Sequence, residues 1–79
     1  MTAWLEKDQC LVKEFGFGTF QEALAFINNI GVLAEQCDHH PDLFLHNYNQ
    51  VKVLLSTHSA GKITNKDYEL AKLIDNLLE

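Results

Sequence analysis

The stretch Gln50 to Thr57 carries the clearest pattern in the chain. Val51, Val53, Leu55 and Thr57 alternate with Lys52, Leu54, Ser56 and His58. A period of two marks a strand with one buried face. Cys10 to Phe17 reads the same way, with Leu11, Lys13 and Phe15 on one parity and β-branched and aromatic residues throughout. Trp4 to Lys7 pairs with it through a turn at Asp8-Gln9. Leu43 to His46 is a further short strand, followed by turn residues Asn47-Tyr48-Asn49.

Two segments change to helical spacing. Thr19-Phe20-Gln21-Glu22 reads as a capping box, in which a threonine hydroxyl and a glutamate satisfy free amides reciprocally. Phe20, Ala23, Leu24, Ile27, Gly31 and Ala34 then recur on one side, and Phe26, Ile30, Leu33 and Cys37 widen the stripe. A stripe this broad is expected to pack on a sheet and on a neighbouring subunit, and the helix to end near Cys37 or Asp38. After a loop at Ser59 to Lys62, Thr64 caps a last helix. Its buried stripe is expected to be Leu70, Ala71, Ile74, Leu77 and Leu78. The order is β-β-α-β-β-α. Strand pairs with short connections imply an antiparallel sheet of four strands, with both helices on one face: an α+β two-layer domain over residues 1–79.

Composition narrows the function classes. The chain has 79 residues, 47% hydrophobic and 22% charged, ordinary values for a globular protein and too apolar for disorder. Domains near this size bury roughly 60% of their unfolded surface, and partner subunits often add to such small cores. The net charge is −5 and every basic residue is a lysine. Nucleic-acid binding is therefore not expected, because there is no arginine to read bases or phosphates and no basic face. The most apolar run, Ala23 to Ala34, is interrupted by Asn28 and Asn29. It falls short of the ~20 residues of a membrane span. The N-terminus lacks a basic start followed by an apolar run, so a cytoplasmic location is expected. Cys10 and Cys37 have no CxxC spacing and read as reduced core thiols, Cys37 extending the apolar helix side.

His39 and His40 lie at a helix end, His58 at a strand end, and Asp67 at the start of the last helix. Catalytic groups gather at such junctions. Each residue also has a structural reading: His39 against the last helix carbonyls, His58 on a loop backbone, Asp67 as the acidic member of a capping box with Thr64. Zinc is not expected, since there is no H-x-x-x-H on a helix and adjacent histidines in an extended segment point apart. Ser56 and Ser59 flank His58 without forming a nucleophile motif. His46 reads as a surface or interface residue.

The spacing of these residues resembles the pterin-4a-carbinolamine dehydratase family, whose vertebrate member is also a dimerization cofactor of a hepatocyte transcription factor. Glu35 is followed after three residues by His39-His40-Pro41. Six residues then intervene before Tyr48, nine before His58 and eight before Asp67. Thr57-His58 with Gly61, Ala71 to Asp75, and Phe15, Phe17 and Phe20 with Glu22-Ala23 extend the likeness over nearly the whole chain. Two departures are the start at about Trp4, where relatives often carry an additional helix, and Lys62, where many have glycine.

The resemblance implies loss of water from a 4a-hydroxytetrahydropterin to give a quinonoid dihydropterin. The pterin is the substrate, with no cofactor and no metal. His39 and His58 would be the principal proton-transfer groups, and His40 would bind the pterin and share the acid role. Asp67 would orient His58, and His40, Pro41, Thr57 and His58 would contact substrate. Histidine suits such work, with an ordinary pKa of about 6.5. Which one is acid and which is base stays open. Homodimers or homotetramers with joined sheets, and recycling of an aromatic amino-acid hydroxylase cofactor, are also implied. The competing expectation is a protein-binding scaffold or transcriptional coactivator of the same fold.

Overall fold

The computed structural model describes residues 3–78. Its elements are β1 (Leu5–Lys7), β2 (Cys10–Gly16), α1 (Phe20–Cys37), β3 (Asp42–His46), β4 (Gln50–Leu55) and α2 (Asn65–Asn76). The four strands form one antiparallel sheet in the order β1-β2-β4-β3. The β-β-α-β-β-α arrangement is that of an α+β fold.

Strand parity decides which residues the helices cover. The register pairs Leu11 with Leu55 and Phe15 with Val51, and Leu45 with Val51. These side chains therefore share one sheet face. Leu11, Phe15, Val51, Val53 and Leu55 join Ala23, Phe26 and Ile30 of α1 and Leu70, Ala71 and Ile74 of α2 in a single core. Fully burying a large aliphatic or aromatic side chain contributes roughly 1.5–3 kcal/mol. This core is therefore the main source of stability. Phe15 and Phe17 both pack on Phe26, with ring centroids 4.8 and 5.0 Å apart, which seats the helix on the sheet.

Lys13 lies between Leu11 and Phe15 on the same parity, so its ammonium is drawn to the covered side. Its Nζ bonds Asp75 at 2.9 Å and lies 5.0 Å from the centre of the Phe15 ring. Asp75 also accepts from the indole N–H of Trp4 at 3.1 Å. A buried charge persists only with such partners.

Several boundaries differ from the pattern-based reading. β2 stops at Gly16, because the Phe17 N–H bonds the Asn49 carbonyl instead of a strand partner. β4 stops at Leu55, and Thr57 forms an isolated bridge with Lys62 that closes the following turn. The buried line of α1 is Ala23, Phe26, Ile30 and Ala34, while Phe20, Leu24 and Val32 are exposed. Cys37 is no core residue: the covering layer ends at Ala34, and residues 35–38 are all exposed. Cys10 is half-buried, and both thiols are free. Leu78 is exposed rather than part of the α2 stripe.

The β1–β2 connection is a tight two-residue turn with Asp8 at φ 52° and Gln9 at φ 64°. Both positions favour glycine or asparagine, since a Cβ crowds the backbone there. Gln9→Gly is expected to raise the unfolding free energy by about 1 kcal/mol, read as an increased urea midpoint at unchanged slope.

Candidate active site

Three chain segments converge at one end of the sheet, each turned there by its own local chemistry. α1 ends because Asp38 adopts the left-handed conformation, φ 50°. In that geometry the Asp38 N–H faces the carbonyls of Ala34 and Glu35, and the His39 N–H bonds Ala34 O at 3.1 Å. These bonds cap the helix and send His39 back toward the domain. Beyond β4, the amides of Ala60 and Gly61 bond the Thr57 carbonyl at 3.0 and 2.9 Å. That turn requires a positive φ, supplied by Gly61 at 66°. His58 stands at its start, exposed. Thr64 opens α2 with an extended backbone and a capping box in which Asp67 is the acidic partner.

Asp67 is fully buried. Its Oδ2 accepts from the Thr64 N–H at 2.9 Å and from the Thr57 hydroxyl at 2.8 Å. Its Oδ1 lies 2.6 Å from His39 Nε2. Burial alone pushes the Asp67 carboxyl up, but the bonds from His39, Thr64 and Thr57 outweigh it and hold the group below the usual carboxylate value. An ionised carboxylate surrounded by donors is the result. The His39 side chain is 11% exposed, so the pair is largely shielded from water, and His39 borders a cavity.

This geometry corrects one expected role. Asp67 pairs with His39, not with His58. The capping box holds the carboxylate on the inner side of α2's first turn, while His58 sits on an outward-facing turn. Thr57 borders the cavity, with its Oγ1 buried and engaged by Asp67 and by Thr64 Oγ1 at 2.6 Å.

His40 bonds Glu35 at 2.6 Å near the surface. His39, His40, Thr57 and His58 line one open cavity with Asp38, Ser56, Ser59 and Lys66. Pro41 leads from it into the edge strand β3 and is not among the lining residues. Tyr48 lies in the β3–β4 turn at the other end of β4. Six residues at roughly 3.3 Å each separate it from the histidines by about 20 Å. His46 also lies outside the site, stacked on Phe44 and bonded to Glu14. Sequence reasoning missed Thr64 and Lys66. The Thr64 cap was legible, but its contact with Thr57 was not.

Among the described residues no group of three His, Cys, Asp or Glu side chains is placed to hold a metal ion. No helix among them is long and apolar enough to cross a membrane. The site combines one imidazole braced by a carboxylate with two more accessible imidazoles. Such a set can accept a proton at one point of a small molecule and deliver one at another.

A family model described as pterin 4 alpha carbinolamine dehydratase matches residues 1–77. A protein of Sulfurisphaera tokodaii, provisionally named a pterin-4-alpha-carbinolamine dehydratase, is 46% identical over 78 residues, covering 99% of this chain and 83% of its own. A Sulfolobus acidocaldarius protein with the same provisional name is 45% identical over 74 residues, covering 94% and 80%. The crystal structure of a transcriptional coactivator/pterin dehydratase from Brucella melitensis superposes with a TM-score of 0.83 at 31% identity, over 94% of this chain and 78% of that one. A pterin dehydratase-like RuBisCO assembly factor of the alpha-carboxysome has the same fold, with a TM-score of 0.80 at 24% identity over 96% and 89%.

Because the folded-state pKa of Asp67 lies below its ordinary value of 3.8, its stabilising contribution is complete above that pH. It is lost as pH falls through the folded value. Asp67→Asn is expected to cost on the order of 2–3 kcal/mol at pH 7. The gap from wild type is expected to narrow steadily below about pH 4, as measured by urea unfolding across a pH series.

Proposed function

The chain belongs to the pterin-4a-carbinolamine dehydratase family, and on that premise we propose that it dehydrates a 4a-hydroxytetrahydropterin by histidine acid–base catalysis. The observation that carries this reading is the meeting of His39, His40 and His58 at one cavity, with Asp67 behind His39.

The reaction breaks the C4a–O bond and the N5–H bond and forms the C4a=N5 double bond. Hydroxide leaves as water once it receives a proton, and N5 gives up a proton. The balance closes without a hydride acceptor, so the pterin is substrate and no cofactor is consumed. His39 is assigned the N5 proton. Its Nε2 faces Asp67 at 2.6 Å, so an imidazolium formed there is met by a buried carboxylate. His58 is assigned to the leaving hydroxyl, since it stands free on the cavity rim. His40, tied to Glu35, helps bind the pterin and supports the acid role. General acid–base groups typically contribute ~10²–10⁴ in rate each, a sufficient gain for an already reactive carbinolamine.

The physiological setting proposed is recycling of a tetrahydropterin cofactor in the cytoplasm, by a homodimer or homotetramer. Self-association is favoured by the unpaired edge of β3 and the exposed Phe20, Leu24 and Val32 of α1. Those same surfaces support the second reading, a protein-binding scaffold or transcriptional coactivator. The Brucella melitensis relative is named both transcriptional coactivator and pterin dehydratase.

Dehydration of a freshly generated carbinolamine, followed by stopped-flow absorbance, tests the assignment. His39→Ala and His58→Ala are each expected to lower kcat by about 10²–10⁴, with circular dichroism unchanged. Wild-type turnover in both variants would overturn it.

A further inference from the structure

Thr57 and Thr64 bring two hydroxyls together directly behind the site, and the hydrogens they carry can be counted. Thr64 Oγ1 already accepts the Lys66 N–H at 3.3 Å as the helix cap. The 2.6 Å contact between the two hydroxyls carries one proton, and because the Thr57 proton is given to Asp67, it is the Thr64 proton, with Thr57 Oγ1 as acceptor. The Thr57 donation ends on Asp67 Oδ2, 2.8 Å off. That oxygen also accepts the Thr64 N–H at 2.9 Å. With two donors aimed at it, Oδ2 has no room for a proton of its own. Among the described residues the one remaining hydrogen-bond contact of the carboxylate is Oδ1 with His39 Nε2, and there the proton belongs on the nitrogen.

We propose that Thr57 is a positioning residue: its hydroxyl, oriented by Thr64, fixes the hydrogen arrangement of Asp67, which holds His39 as the Nε2–H tautomer with Nδ1 free toward substrate. Among the described residues no buried side-chain nitrogen or oxygen lacks a partner. His39 Nδ1 has no hydrogen-bond partner among the described residues, so it is accessible, on a ring that lines the cavity. The α2 cap thus acts in the site as well as in the helix. The kinetic part of this proposal rests on the dehydratase reading; the hydrogen order does not.

The test uses the intact protein. In the wild type, long-range 1H–15N spectra of 15N-labelled protein are expected to show His39 protonated at Nε2, and a slowly exchanging Thr57 hydroxyl proton. Thr57→Val removes the hydroxyl at constant shape. It is expected to mix the His39 tautomers and lower kcat by roughly tenfold, the scale of one lost hydrogen bond to a charged group. KM stays unchanged, and Thr57→Ser restores both signals. A wild-type His39 protonated at Nδ1 alone would overturn the proposal. So would a valine variant with unaltered ring signals and kcat. A raised KM at full kcat would instead make Thr57 a substrate contact. If the valine variant does not fold, the wild-type and serine spectra still decide the hydrogen order. Absence of dehydration by the wild type sinks the functional reading while leaving those spectra decisive.

Discussion

A carboxylate removed from water must be met by donors on every side, and the fully buried Asp67 organises one end of this domain on that condition. Its donors come from three places: the end of α1 through His39, the segment after β4 through Thr57, and the start of α2 through the Thr64 backbone. None is a neighbour of the others along the chain. Meeting the carboxylate's demand therefore closes the two helices and the sheet around a common point. The residues that satisfy it form the inner wall of the cavity.

α2 is held by the same principle at its other end. Asp75, in its last turn, takes the Lys13 ammonium and the Trp4 indole N–H. Between these two anchors Leu70, Ala71 and Ile74 supply the apolar contact with the core. The hydrophobic stripe gives the helix its affinity for the sheet, which is non-directional. The two carboxylates fix its position along the axis. A site that depends on a side chain in the first turn of α2 needs that directional control.

The cavity divides its histidines by restraint. His39 is braced from behind and nearly covered, His40 is tied to a surface glutamate, and His58 stands exposed on a turn. A proton acceptor gains from a partner that stabilises the charged ring. A donor to a departing hydroxyl gains from freedom to reach solvent and reload. One rigid and one accessible imidazole suit the two halves of the proposed dehydration.

Period-two alternation was sufficient for β2 and β4, and the Thr19 and Thr64 caps for the helix starts, because these are local properties of a few consecutive residues. The order of elements followed from them. Parity also groups Thr57 with Val51, Val53 and Leu55, and its side chain is buried as theirs are while bordering the cavity. The partner of Asp67 was beyond reach of the sequence. His39 and His58 lie 28 and 9 residues before it, and nothing in the spacing tells which ring faces the inner side of α2. Only the left-handed turn at Asp38 and the closure of the Thr57–Lys62 turn decide that, directing one imidazole inward and the other out. The exposure of Cys37 has the same origin: helical periodicity names a face, but where the covering layer ends depends on how far the packed elements extend in space.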